Sequence, residues 1–395
     1  MSSNEKLNRR IFLKSTLLGA SGAMLSRHTF AAGIGTKDVD KKIITRALGK
    51  TGIELPVVSM GVMNADNPNL VKAAFEGGMK HFDTAHGYQR GNNEEMLGKV
   101  FKDIPRNSFI ISTKIPAGER GSGGYTKEQF LERLDISLKR LQMDHVDMLY
   151  THGVTSREDM LNETVLDALS TAKKDGRTRF IGLSTHRNEP EVIEAAIETG
   201  IIDVILTAIN FKQDYHPELK AAIASGAEQG IGFIGMKNLA GGFLDQEKQH
   251  PVNVKAAIKW VLQDTNITTC IPGFTAFDQL EADLELLTNI TITEEELNSL
   301  GLASNEMGIY CQGCGECLRA CKKSLPIPDI MRAYMYAYGY GNMEKAYTTL
   351  EEYDVPVNPC SDCEICTVQC PQNFPVAEKI SKITRLRDVP RDFIT

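Results

Sequence analysis

Eight short apolar runs alternate with eight helix-like segments between Ile43 and Leu302, and that alternation limits the folds open to this chain. The runs are Val57–Met60, Lys80–Asp83, Phe109–Thr113, Val146–Tyr150, Arg179–Ser184, Val204–Thr207, Gly232–Met236 and Thr268–Ile271. Each is partly β-branched and lacks a polar residue at every second place, the pattern of a strand buried on both faces. The segments between them carry apolar residues at helical spacing. In Lys127–Leu141, for example, Phe130, Leu134, Ile136, Leu138 and Leu141 lie close to one stripe, Thr126 is placed to cap and Glu128 lies in the first turn. Seven further helices are expected at Leu70–Glu76, Glu94–Phe101, Thr164–Lys174, Glu191–Glu198, Pro217–Gln229, Val252–Leu262 and Ala276–Leu286. Eight strand–helix units in about 250 residues predict a (β/α)8 TIM barrel. A doubly wound sheet would call for a Gly-x-Gly-x-x-Gly turn after an early strand, and none is present. Ahead of the first unit, Ile43–Leu48 and Ile53–Pro56 flank Gly49-Lys50-Thr51-Gly52, which predicts a hairpin.

The character changes after Leu302. Eight of the nine cysteines fall in the last 85 residues, too uneven for a disulfide framework over the whole chain. They form two runs of one rhythm: Cys311-x-x-Cys314-x-x-Cys317-x-x-x-Cys321 and Cys360-x-x-Cys363-x-x-Cys366-x-x-x-Cys370-Pro371. Three closely spaced thiolates wrap one iron–sulfur cubane, and the fourth often reaches a second. Two [4Fe–4S] clusters are therefore expected, one on Cys311, Cys314, Cys317 and Cys370, the other on Cys360, Cys363, Cys366 and Cys321. Zinc ribbons use paired Cys-x-x-Cys units instead, and disulfides fit poorly among cysteines so crowded along the chain. Lys322 stands where the first run would carry a proline. The helical stretch Pro328 to Tyr353 between the runs resembles the α-helical ferredoxins of respiratory iron–sulfur subunits. The ninth cysteine, Cys270, ends the eighth strand and reads as a small buried hydrophobe.

Chemistry in a barrel of this kind gathers at the C-terminal ends of the strands. Asp83 ends the second strand and Tyr88 lies in the loop after it; Lys114 ends the third, and His152 follows the fourth. Together these four suit proton transfer to a carbonyl oxygen. A tyrosine with an ordinary pKa near 10 is a weak donor at neutral pH. A neighbouring Lys⁺ would lower it, a carboxylate would hold that lysine, and a histidine would orient the substrate oxygen. With Phe82-Asp83-Thr84-Ala85-His86-Gly87-Tyr88 followed by Lys114 and His152, residues 43–302 resemble the aldo–keto reductases. The resemblance implies Tyr88 as general acid/base, Lys114 and Asp83 as its tuning pair, and His152 as orienter. His86, in the same loop, is a further candidate for substrate contact.

The same resemblance implies a nicotinamide cofactor, NAD(P), near the ends of strands five to eight. Ser184, Thr185, Asn210, Lys237 and Gly273 are its expected contacts, with Thr185 standing in the usual asparagine position. Met236-Lys237-Asn238-Leu239-Ala240-Gly241-Gly242 and Ile271-Pro272-Gly273 fit the family. The basic set that would clamp an NADPH 2′-phosphate is missing; those positions read roughly Gly273, Phe274 and Gln279. An Arg or Lys fork is the natural partner of a phosphate, so NADP preference is doubtful and NADH is left open.

Residues 1–32 read as an export signal. Asn8-Arg9-Arg10-Ile11-Phe12-Leu13-Lys14 precedes a mildly apolar stretch from Ser15 to Leu25 and small residues at Ala31, Ala32 and Gly33. The paired arginines resemble a twin-arginine signal, a route that carries folded proteins with cofactors already inserted. A periplasmic or cell-envelope location follows as an expectation. No other segment reaches the about 18 apolar residues a membrane helix needs. The formal charge of -7 excludes a general nucleic-acid binder.

The domains are thus expected at 1–32, 43–302 and 303–395. The expected function is an exported oxidoreductase interconverting a small carbonyl and an alcohol, conceivably of a sugar. Its clusters would pass electrons to or from a partner protein or a quinone-linked carrier. The competing reading is an electron-transfer or redox-sensing protein on a degenerate barrel. It is weighed against the intact tetrad.

Overall fold

A computed structural model describes residues 42–118, 124–245, 248–301, 310–363, 365–371 and 373–394. The expected export signal, residues 1–32, lies outside them, as does most of the segment where the second domain was expected to begin.

The chain opens with the expected hairpin, β1 (Thr45–Ala47) and β2 (Glu54–Pro56), paired antiparallel. Eight parallel strands follow: β3 (Met60–Gly61), β4 (His81–Asp83), β5 (Ile110–Pro116), β6 (Val146–Val154), β7 (Thr178–Thr185), β8 (Val204–Ala208), β9 (Gly232–Met236) and β10 (Ile267–Cys270). They pair in chain order from β3 to β10. The cylinder closes where Val58 bridges Cys270 in parallel and the Ser59 amide donates to the Cys270 carbonyl at 2.8 Å. All eight strands coincide with the apolar runs, and their burial on both faces follows from this closure. One face meets the barrel interior and the other meets the helices.

The hairpin plugs the bottom. Leu48, Ile53 and Leu55 pack with Met148, Tyr150, Val204, Leu206 and Ile234 in a core inside the cylinder. Gly49 permits that seat. Its φ is +51°, and a Cβ there would lie 2.4 Å from the Gly230 carbonyl oxygen.

The main outer helices are α1 (Pro68–Glu76), α2 (Asn92–Phe101), α3 (Lys127–Leu141), α5 (Glu163–Lys174), α6 (Glu189–Thr199), α7 (His216–Glu228), α8 (Val254–Leu262) and α9 (Phe277–Leu286). Two short helices, α4 (Arg157–Met160) and α10 (Glu294–Ser299), were not expected from the sequence. Local chemistry starts several of them. Thr126 and Gln129 form a reciprocal capping box on α3, and Asn67, Asn162 and Asn253 cap α1, α5 and α8.

The C-terminal region is helical: α11 (Cys317–Ala320), α12 (Ile327–Tyr338), α13 (Met343–Glu352) and α14 (Val376–Thr384). The helical stretch expected over Pro328 to Tyr353 is a pair of helices. Gly341 takes a φ of +66°, and Asn342 then caps α13 through the Lys345 amide, so the chain reverses between them. This region packs round its own core of Ile327, Ile330, Met331, Ala346, Leu350, Val376 and Ile380, with Met63 and Phe243 of the barrel against it.

Candidate active site

The tetrad assembles at the C-terminal end of the barrel. Asp83 ends β4 and Lys114 lies on the adjacent β5, and the two form a buried ion pair. The Lys114 Nζ also donates to the Thr84 carbonyl at 2.7 Å and lies 3.4 Å from the Tyr88 hydroxyl. The Tyr88 and His152 rings meet edge to face at 5.9 Å. Tyr88 opens a tight turn in which Gln89 and Arg90 have φ of 49° and 55°, strained values for residues with a Cβ. The Gln89 amide pins the turn by donating to the carbonyls of Met63 at 3.1 Å and Ala65 at 3.2 Å.

Two more residues extend this row. Ser112 donates to Asp83 Oδ2 at 2.6 Å, and His81 Nε2 lies 2.9 Å from the Ser112 hydroxyl oxygen. The serine has one proton and gives it to the carboxylate, so His81 donates through Nε2–H. Sequence reasoning passed over both residues. The signal was period two, since His81 precedes Asp83 by two residues and Ser112 precedes Lys114 by two, placing each pair on one strand face.

The electrostatics differ from expectation in one respect. Burial, then the Asp83 carboxylate, push the Tyr88 phenol far above its ordinary value. The Lys114 ammonium, 3.4 Å away and shared with Asp83, does not outweigh that rise, and its own pKa is lowered by burial. Burial also holds His152 well below its ordinary value, helped by Lys114, Lys345, Arg332 and Lys237. At neutral pH the site therefore presents a protonated phenol and a neutral imidazole. His86 turns away from it. Its Nδ1 lies 3.0 Å from the Ser137 hydroxyl on α3, and Arg140 donates to its carbonyl at 2.9 Å.

The C-terminal region contributes to the mouth of the barrel. Asp329, Arg332 and Tyr336 share one face of α12 at i, i+3 and i+7. Asp329 holds Arg187 of the barrel at 2.9 Å and Arg332 at 3.1 Å. Tyr336 is buried and accepts a hydrogen bond from Lys237, whose ammonium sits 5.2 Å from its ring centroid. Burial raises the Tyr336 phenol's pKa, but Lys237, Arg332 and Lys345 together outweigh it and leave the phenol below its ordinary value.

The expected nicotinamide contacts are engaged by the chain itself. Ser184 Oγ accepts from the Gly153 amide at 3.0 Å, and the Thr185 hydroxyl donates to the Arg187 carbonyl at 3.1 Å. Asn210 Nδ2 donates to Gln312 Oε1 at 3.1 Å, and Lys237 is taken by Tyr336. Gly273 alone remains exposed. As folded, these residues do not fit a bound dinucleotide.

The cysteines do fit clusters. All eight are free thiols, as is the fully buried Cys270. Cys311 feels the charges of Cys314, Cys317 and Cys370, whereas Cys360 feels those of Cys363, Cys366 and Cys321. The fourth cysteine of each run is therefore brought to the other trio. Cys321, Cys360, Cys363 and Cys366 line a cavity of about 160 Å³ with Leu325, Ile327 and Val376. Among the described residues, no three or more His, Cys, Asp or Glu side chains converge tightly enough to ligate one single metal ion. The donor set is four soft thiols round an apolar cavity, which suits an iron–sulfur cubane.

The sequence matches the Aldo/keto reductase family over residues 59–256 and the 4Fe-4S dicluster domain over residues 310–375. It is 28% identical to an L-galactose dehydrogenase of Arabidopsis thaliana over 306 residues, covering 66% of this chain and 91% of the relative. It is 26% identical to an L-glyceraldehyde 3-phosphate reductase of Escherichia coli O157:H7 over 328 residues, covering 67% and 94%. In solved structures the fold is similar to an aldo-keto reductase from Bacillus halodurans, with a TM-score of 0.55 at 23% identity, covering 66% of this chain and 96% of that one.

Proposed function

The chain belongs to the aldo/keto reductase family and is an oxidoreductase; from that premise we propose that it reduces a small carbonyl compound to an alcohol, with Tyr88 as the proton donor. The observation that carries this is the buried Asp83–Lys114 pair with its ammonium 3.4 Å from the Tyr88 hydroxyl. The protonated phenol is the state a reduction requires, since it must give a proton to the carbonyl oxygen. As the carbonyl oxygen gains negative charge, Tyr88 gives up its proton to it. Lys114 then stabilises the phenolate left behind, and His152 holds the oxygen in line. A sugar or short aldehyde is the substrate class proposed, in keeping with the sugar- and aldehyde-acting names of the relatives. The test is Tyr88→Phe, which keeps the ring and removes the proton. Turnover should drop by about 10²- to 10⁴-fold with little change in substrate binding. Unchanged turnover would overturn the assignment.

Two [4Fe–4S] clusters belong to this reading, one held by Cys311, Cys314, Cys317 and Cys370 and one by Cys360, Cys363, Cys366 and Cys321. When bound, they supply and accept single electrons. Burial keeps the apo thiols protonated, pushing Cys311 up to about 12 and Cys317 up to about 11, so loading releases protons.

Export through the twin-arginine route completes the proposal. Its support is Arg9-Arg10 with Phe12 and Leu13 behind them, together with the dicluster domain, which would be folded and filled before transport. Replacing both arginines by lysine should leave the protein in the cytoplasm. Normal appearance of that variant in the periplasmic fraction would refute export by this route.

A further inference from the structure

The path a dinucleotide would follow across the barrel mouth is filled by the chain itself, over a segment of four residues. The Tyr310 ring lies against Gly241 in the loop after β9. A Cβ on Gly241 would sit 2.0 Å from Tyr310 Cδ2, so this glycine is the seat of the ring, and Tyr310 is buried. Gln312 is bonded at both its side chain and its backbone. Its Oε1 accepts from Asn210 and its carbonyl accepts from the Tyr215 hydroxyl at 3.0 Å. Gly313, with φ of +85°, passes so close to β7 that a Cβ there would lie 3.2 Å from the His186 carbonyl oxygen. The space that remains beside His186, Asn210, Lys237 and Arg332 is about 40 Å³, room for a few waters at roughly 10–15 Å³ each.

Three independent anchors, in the segments after β7, β8 and β9, make this a built contact. Phosphate groups at the Lys237–Gly242 turn would collide with Tyr310, and a carboxamide at Asn210 would have to displace Gln312. The basic residues that would hold a 2′-phosphate are missing as well. Each change removes a different part of a dinucleotide's site, and the first two are made by the segment that opens the first cysteine run.

We propose that Tyr310–Gly313 is a permanent plug of the dinucleotide path, so that the protein uses neither NADH nor NADPH and draws its electrons from a one-electron carrier protein. The proposal rests on the carbonyl-reductase reading above and specifies its electron source. Reduction of C=O to CH–OH takes up two electrons and two protons. The carrier acts twice, giving one electron each time and being oxidised twice. Tyr88 supplies the proton on oxygen, and solvent supplies the proton on carbon and reprotonates Tyr88.

The test uses the anaerobic, cluster-loaded full chain. NADH and NADPH at about 1 mM, the upper end of ordinary KM values, should show no saturable binding by nicotinamide fluorescence and should leave the cluster absorbance unbleached. Dithionite, standing in for the carrier, should bleach it. Saturable binding of either nucleotide, or bleaching by it, would overturn the proposal. A Gln312→Ala, Tyr310→Ala double variant supplies a second measurement. Nucleotide binding that is absent from the parent and gained in the variant supports the plug, while equal binding in both overturns it. Nucleotide-driven turnover that depends on Tyr88 would defeat this inference and leave the carbonyl-reductase reading standing. Loss of that reading would show instead as turnover unaffected by Tyr88→Phe.

Discussion

The residues that define the site form one hydrogen-bonded row, His81–Ser112–Asp83–Lys114–Tyr88, running from the barrel interior to its mouth. Asp83, Lys114 and Tyr88 were legible in the sequence because they stand at or just past the strand ends, whereas His81 and Ser112 lie two residues further in along the strands. The row has a consequence for acid stability. Burial, helped by Lys114 and opposed by Asp83, pushes His81 from 6.5 down to about 4. Its Nδ1 has no hydrogen-bond partner among the described residues, so a second proton there would be buried unpaired. Between these two pH values the unfolded chain binds the proton and the folded chain does not. The stabilisation is therefore fully present above pH 6.5 and is lost as pH falls toward 4, by at most about 3 kcal/mol. Denaturant unfolding at pH 7 and pH 4.5 should show this loss in the parent and a smaller one in His81→Gln. An equal loss in both would remove His81 as the cause.

At the scale of elements, the strands and the eight main helices follow the sequence closely, since each is specified by its own residues: β-branched runs, apolar stripes and polar caps. The α12–α13 pair is the informative departure. The apolar pattern continues from Pro328 to Tyr353, but Gly341 and the Asn342 cap reverse the chain within it. That reversal folds α13 back on α12 and brings Lys345 to the mouth beside Arg332 and Tyr336, all three of which act on the His152 and Tyr88 environment. The cysteine rhythm, by contrast, was sufficient to anticipate which thiols share a cavity. It follows that Cys370→Ser should deplete iron at the Cys311 set and spare the other, and Cys321→Ser should do the reverse. Iron content and the EPR spectrum of each reduced variant distinguish the two sites. Depletion of the run in which the mutated residue lies would contradict the exchange.

Across the whole molecule, the two functional regions are joined by ionic and polar contacts at the barrel mouth. Asp329 on α12 binds Arg187 of the barrel, Arg90 meets Glu344 at 2.7 Å, and Asn342 donates to Asn64 at 2.7 Å. Asp329 is 1% exposed and also serves Arg332 and the Tyr353 hydroxyl, so it is the contact most costly to break. Asp329→Ala should destabilise the protein by roughly 3–5 kcal/mol, because two guanidinium groups lose a buried counter-charge. Hydrogen exchange should then rise in α12 and at Gln312 and Gly313 while the barrel strands keep their protection. Uniform exchange throughout the chain would mean that Asp329 is not a local clasp.

The sequence by itself determined the barrel, the tetrad Asp83, Tyr88, Lys114 and His152, and the two cysteine sets. Each is written in short-range periodicity or spacing, where neighbours along the chain set the backbone and the face. It could not determine what lies across the barrel mouth. Asn210 and Gln312 are 102 positions apart, and so is each other pair at this interface separated by a long stretch of chain. Side chains that look free in the sequence, Lys237 and Asn210 among them, are satisfied by partners that only tertiary packing supplies. That packing raised the pKa of the Tyr88 phenol, lowered that of Tyr336, and set Tyr310 and Gln312 against Gly241 and Asn210.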